Sequence, residues 1–306
     1  MSQRGKSVFV CLMLAIAGVC FQAWRGAPAQ SAPAPAPATL QGEAALQQLK
    51  TNGGYASLAA AMTAARYRIN AAPAQPGNAV APFYANNPGQ QLRASFAPAE
   101  VRVNAAPNKT DAKTGGAELR LQLVGYGYGD KLTAVAPGAL TAQGDRITIR
   151  KSSILNPQSA IEEWYVNKPE GLEQGFTLAA PPAGERRGEW LRVALTVGNG
   201  WRASLRGDRQ GAVFERQADG LRLGYDHLAA YDAQGRTLPA RMALAGDKLA
   251  LLVDGAEAVY PLTIDPIITQ QRKLTAADGA AGDTFGEAVA LSGDTAVIGA
   301  QRDDVT

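Results

Sequence analysis

The most regular signal in the chain is a two-residue alternation of apolar and polar positions that recurs from about residue 119 to residue 264. Leu119, Leu121 and Leu123 alternate with Arg120 and Gln122, and Ile147 and Ile149 with Arg146, Thr148 and Arg150. Leu191, Val193, Leu195 and Val197 form the longest ladder. Leu221 with Leu223, Met242 with Leu244, Leu249 with Leu251 and Val253, and Val259 with Leu262 and Ile264 continue the series. Successive side chains on a strand point to opposite faces, so each run predicts a strand with one buried and one wet face. Turn-forming pairs punctuate the runs: Gly144-Asp145, Gly198-Asn199-Gly200, Gly207-Asp208, Asp219-Gly220, Gly246-Asp247 and Asp254-Gly255. Short alternating strands between Gly and Asp turns predict an antiparallel β-sandwich-like region over residues 91–265. It can be one body or two modules meeting near Pro181-Pro182.

The periodicity is different upstream. Arg4 and Lys6 precede an apolar run over residues 8–21, and Ala27-Pro28-Ala29 follows. A basic start, an apolar middle and an A-x-A end are the order of a secretory signal peptide, here 1–29, cleaved between Ala29 and Gln30. The run falls short of the ~20 apolar residues that a spanning helix needs. Left uncleaved, it would be a membrane anchor and the chain's one expected contact with a membrane. Val19 before Cys20 makes a poor lipoprotein site. Residues 30–39 alternate Pro with Ala and predict a semi-rigid extended spacer. Residues 40–70 predict a short helical segment: Ala44, Leu46, Leu49, Leu58, Ala61, Met62 and Ala65 favour helix, and Gly53-Gly54 divides it in two. Residues 71–90 lose periodicity, gather Pro and Asn, and predict a linker.

Composition sharpens this picture in two places. The chain carries 30 basic and 27 acidic residues, a formal charge of +3. Arg4, Lys6 and Arg25 account for that excess, so the chain after residue 29 is formally neutral and has no basic excess with which to recruit nucleic acid. Both cysteines, Cys11 and Cys20, also lie in the signal segment. The remainder has neither disulfides nor thiols, and its fold must rest on its core.

Few residues are candidates for chemistry. His227, the single histidine, has no nucleophile or metal-ligand spacing around it and is expected to be structural or on the surface. Glu162, Glu163, Glu170 and Glu173 flank Trp164 and Tyr165; paired carboxylates beside aromatics can hydrolyse glycosides, but a solvated charged loop beside buried rings gives the same letters. Gly125-Tyr126-Gly127-Tyr128-Gly129-Asp130 has the glycine spacing of a phosphate loop without the following helix or Lys-Ser/Thr, and predicts a turn lined by tyrosines.

The C-terminal stretch carries a more specific pattern. Asp283-Thr284-Phe285-Gly286, then Ala288-Val289-Ala290-Leu291, Ser292-Gly293-Asp294-Thr295, Ala296-Val297-Ile298 and Gly299-Ala300-Gln301 read as strand, tight turn and strand. This resembles one unit of the FG-GAP repeat of integrin α-chain β-propellers and of arrays on bacterial exported proteins. Gln301 stands where the motif has proline. Glu163-Trp164-Tyr165-Val166-Asn167 and Tyr260-Pro261-Leu262-Thr263-Ile264-Asp265-Pro266 resemble segments that precede such arrays. The resemblance implies a mainly β protein that ends, over 266–306, in an incomplete first unit of a β-propeller. It also implies a chain that is a piece of a longer one, since repeats need neighbours. It offers Asp278, Asp283, Asp303 and Asp304 as candidate Ca2+ ligands, although the alternating D-x-D-x-D-G loop is missing and turn chemistry explains the same aspartates.

The resulting expectation is an exported, non-catalytic surface or secreted protein, an interaction or adhesion module with an extracellular protein or polysaccharide as partner. The alternatives are the non-catalytic part of an exported hydrolase whose active site lies elsewhere, and a structural stalk.

Overall fold

The computed structural model describes residues 42–73, 82–105, 118–152, 160–184, 186, 188–271, 276, 282–292 and 295–302. The expected signal segment, its Ala29/Gln30 cleavage point and the 30–39 spacer lie outside the described residues. The chain divides into two units, 1–52 and 53–306. In the first, helix α1 (Gly42–Thr51) places Glu43 in its first turn and Lys50 in its last, which suits the helix dipole. In the second, helix α2 (Gly54–Tyr67) follows Gly53, whose φ of 75° favours glycine. Its buried residue is Tyr67, while Tyr55, Leu58 and Met62 face outward.

From residue 69 onward the described chain is strand and turn, numbered in chain order, and every pairing is antiparallel. Strands β1 (Ile69–Ala71), β2 (Phe83–Asn87), β3 (Leu92–Phe96), β4 (Val101–Ala105), β5 (Leu119–Tyr128) and β6 (Lys131–Ala134) open one sheet. Strands β7 (Ala139–Gln143), β8 (Arg146–Ser152), β9 (Ala160–Lys168) and β10 (Gly171–Leu178) open a second. The chain then returns with β11 (Leu191–Val197) to the first, with β12 (Trp201–Leu205), β13 (Ala212–Arg216) and β14 (Arg222–Tyr231) to the second, and with β15 (Ala240–Ala245) and β16 (Lys248–Val253) to the first. Strand β17 (Leu262–Gln271) enters the second sheet between β14 and β10. Among the described residues this gives a nine-stranded and an eight-stranded sheet. Strands β18 (Phe285–Ser292) and β19 (Thr295–Ala300) form a separate hairpin.

One apolar cluster draws on the inner faces of both large sheets, with Leu121, Val193 and Leu251 from one and Ile149, Phe176, Tyr225 and Ile264 from the other. Phe96 of β3 meets Tyr165 of β9 with ring centroids 5.2 Å apart. The mainly β fold is therefore a sandwich whose two layers share a single core. Of the two arrangements open for this region, one body or two modules meeting near Pro181-Pro182, the chain forms the first: β5 pairs with β11, and β10 with β17, across that point. A chain that switches sheets five times cannot be cut there without dividing both layers.

Two boundaries also move. The stretch expected as a linker over 71–90 contains β2, which pairs with β1 and β3. Its inward positions are Ala85 and Asn87, too small and too polar to read as an apolar ladder. The break expected between 265 and 266 falls inside β17, which runs through Pro266. Proline cannot donate to a central ladder. Opposite it β14 bulges: Asp226 pairs with Ile267 and Ala229 with Asp265, leaving His227 and Leu228 against Pro266 alone. The bulge absorbs the missing N–H and puts His227 at φ 58°. Val259 lies exposed ahead of the strand rather than within it.

Candidate functional site

The carboxylates around Trp164 are not on a solvated loop. Glu162 and Glu163 are in β9, Glu170 is in the turn that follows, and Glu173 is in β10. Alternation separates them: Glu163 points into the core and Glu173 points outward. Glu163 is 1% exposed and faces Lys151 of β8, also 1% exposed, with Lys151 Nζ 2.8 Å from Glu163 Oε2. Its other oxygen, Oε1, accepts from Tyr165 Oη at 2.7 Å and Gln174 Nε2 at 2.9 Å. Tyr225 Oη donates to Gln174 Oε1 at 2.7 Å, which fixes the amide orientation. Burial, then the nearby Glu163 charge, pushes both phenols well above the usual tyrosine range. This polar cluster is walled in by the two sheets and offers a bound sugar no way in.

On the outer face of the second sheet, Trp164 lies flat across Gly175, where a Cβ would meet the indole at 1.9 Å. Arg146 covers the ring at 4.2 Å, and the indole N–H donates to Thr177 Oγ1 at 3.1 Å. Beside it lie Asp265 and Glu173, the latter contacted by Lys168 Nζ at 2.6 Å. Burial, and after it the Glu173 carboxyl, raises the Asp265 pKa to about 6. Sequence reading missed this pair because the two residues are distant in the chain and come together only through β10–β17 pairing. A folded-state pKa above the ordinary ~3.9 means that the folded chain holds the proton more tightly. The stability it contributes is full below about pH 4 and lost as pH rises through 6. Asp265→Asn, which cannot ionise, is therefore expected to gain on the wild type between pH 4 and pH 7. Urea unfolding at a series of pH values measures that difference; a constant offset would contradict the raised Asp265 pKa.

His227 sits exposed in the β14 bulge, and the adjacent Asp226 is held by Arg206, with Nη2 2.9 Å from Oδ2. The Gly-rich run is the end of β5 and its turn. Cβ atoms on Gly125 and Gly127 would meet the Thr133 and Lys131 carbonyls at 2.8 and 2.3 Å, so the glycines admit β6. An open cleft of about 350 Å³ beside it has two carboxylates, Asp130 and Glu189, and one amine, Lys131, on its walls, a balance that does not favour an anion such as phosphate.

The hairpin is built differently. Val289 pairs with Ile298, Ala290 with Val297 and Leu291 with Ala296. A bulge between Phe285 and Ala288 places Gly286 at φ 94°, a left-handed conformation that makes the glycine of the Phe-Gly pair a conformational requirement. Asp283 is nearly buried, and its carbonyl accepts from the Arg302 N–H at 3.2 Å. Val289 and Leu291 project from one face and Val297 from the other, and all three are more than half exposed, with Phe285 at 38%. Apolar side chains on both faces of a two-stranded ribbon leave it without a core of its own.

Of the four candidate calcium ligands, Asp283 is described, and Asp278, Asp303 and Asp304 lie outside the described residues. Among the described residues no three His, Cys, Asp or Glu side chains are grouped to hold a metal ion. No described helix is long and apolar enough to cross a membrane.

Residues 268–306 match the family model described as the FG-GAP repeat. The match begins within β17, in the sandwich, and runs through the hairpin. No curated protein matches the chain.

Proposed function

We propose that the chain is an exported bacterial interaction protein without catalytic activity, in which the sandwich carries an FG-GAP repeat outside the cell. The observation that carries this reading is the hairpin over 285–300. It belongs to the segment matched by the repeat family, and it exposes apolar side chains on both faces. A propeller blade stacks against its neighbours through such faces, and a closed propeller presents its loops to a protein or polysaccharide partner. The sandwich supports this as a scaffold with its own core. The buried Glu163 cluster is closed to substrate, and the outer carboxylate pair lies beside a tryptophan already covered by Arg146.

Export is the part of the reading that a single experiment decides. Expressed from its own start codon in a bacterium, the protein is expected outside the cytoplasm with an N-terminus near Gln30, as read by N-terminal sequencing of fractionated cells. Intact product starting at Met1 and confined to the cytoplasm would contradict it.

A further inference from the structure

We propose that Lys151 and Glu163 become joined in the folded chain by an amide between their side chains, a covalent cross-link formed within the sandwich core. The inference does not depend on the interaction reading. Both side chains are fully buried, on the inner faces of the adjacent strands β8 and β9. Nζ lies 2.8 Å from Oε2, yet Oε2 receives no hydrogen bond, so the amine is at contact distance but off the direction in which a carboxylate oxygen accepts. The Ala99 carbonyl accepts from Nζ at 3.2 Å and helps to hold it in place. Oε1 meanwhile faces two donors, the Tyr165 hydroxyl and the Gln174 amide, with the amide locked in that orientation by Tyr225. Two fixed donors on one carboxyl oxygen and an amine against the other side are what attack at a carboxyl carbon needs.

The step balances without any co-reactant. A proton passes from the Nζ ammonium to Oε2, giving a neutral amine and a carboxylic acid. The nitrogen lone pair forms a bond to Cδ, and the charge that develops on Oε1 is held by Tyr165 and Gln174. A second proton moves from nitrogen to Oε2, the Cδ–Oε2 bond breaks, and one water leaves. Confinement and desolvation decide whether this proceeds. Amide formation is unfavourable in open water, but groups held in place react as if at about 10⁵–10⁸ M. Burying both ions carries a desolvation penalty, and the amide removes both charges. Confinement and desolvation therefore act in the same direction. The reaction occurs once, on the chain itself, and leaves the outer carboxylates untouched.

The test is mass spectrometry of the purified full chain under denaturing conditions, with its N-terminus determined. The expected mass is lower than the sequence mass by one water. Trypsin is expected to leave the bond after Lys151 uncut and to yield one branched peptide containing Lys151 and Glu163. A full sequence mass, with the two residues in separate linear peptides, would overturn the proposal, as would a water loss located elsewhere. Lys151→Arg is expected to restore the full mass whether or not the variant folds. In Tyr165→Phe, linked product is expected to accumulate about 100-fold more slowly; an unchanged rate in a folded Tyr165→Phe chain would remove Tyr165 from the reaction.

Discussion

Phe176→Ala is expected to lower the unfolding free energy of the chain by about 3–5 kcal/mol, measured by urea denaturation. Phe176 is in β10, in the middle of the eight-stranded sheet, opposite Glu163 of β9 and Ile264 of β17, and no part of it is exposed. Its loss removes a large apolar surface and leaves a cavity that two flanking strands, each hydrogen-bonded on both edges, cannot close. The denaturant slope should be unchanged, because the surface exposed on unfolding hardly differs. A cost below about 1 kcal/mol would mean that the two layers do not share the tightly packed core described above.

Asn167→Leu is expected to cost about 3 kcal/mol in the same experiment, although leucine is close in size and more apolar. Asn167 is 1% exposed and ties three segments together. Its Nδ2 donates to the carbonyls of Tyr67 and Asn86, both at 2.9 Å, and its Oδ1 accepts from Asn87 Nδ2 at 2.9 Å. Leucine would strand the buried Tyr67 carbonyl, the part-buried Asn86 carbonyl and part of the Asn87 amide, and each stranded buried group costs about 1–3 kcal/mol. Asn87 would still have the Lys168 carbonyl at 2.6 Å, which is why the total stays below the sum. The end of α2, β2 and the β9–β10 hairpin should loosen together. A neutral or stabilising result would show that hydrogen bonding is not what fixes this corner.

These two sites also mark how far the sequence could be read. Strand β11 is plain in the letters because its inward positions, Leu191, Val193, Leu195 and Val197, are all apolar and flanked by Arg192 and Thr196. Strand β9 follows the same geometry but not the same letters. Its inward residues are Ile161, Glu163, Tyr165 and Asn167, two of them polar and partnered within the core, while the outward Trp164 is covered by Arg146. A polarity pattern reports solvent only where buried positions are apolar, so the Glu163 cluster read as a surface loop. Partner choice was less legible still. Alternation assigns a face to each strand but says nothing about β5 meeting β11 or β14 meeting β17 across long stretches of chain. A proline argues against a central strand, and the bulge at His227 that accommodates Pro266 has no signature of its own, so the continuity of β17 is not legible in the letters. The hairpin was readable for the opposite reason. Phe285-Gly286, the Ser292 to Thr295 turn and Gly299-Ala300 are local, and Gly286 is required by its own backbone conformation.

The central claim is that the FG-GAP hairpin depends on neighbouring repeats while the sandwich does not. Hydrogen exchange on the full chain, alone and with further FG-GAP units fused after Thr306, tests it most directly. Alone, amides of β5, β11, β16 and β17 are expected to be strongly protected, and those of residues 285–300 to exchange fast. Fused repeats should raise protection in 285–300 selectively. Equal, high protection of hairpin and sandwich in the chain alone, unchanged by added repeats, would contradict the account.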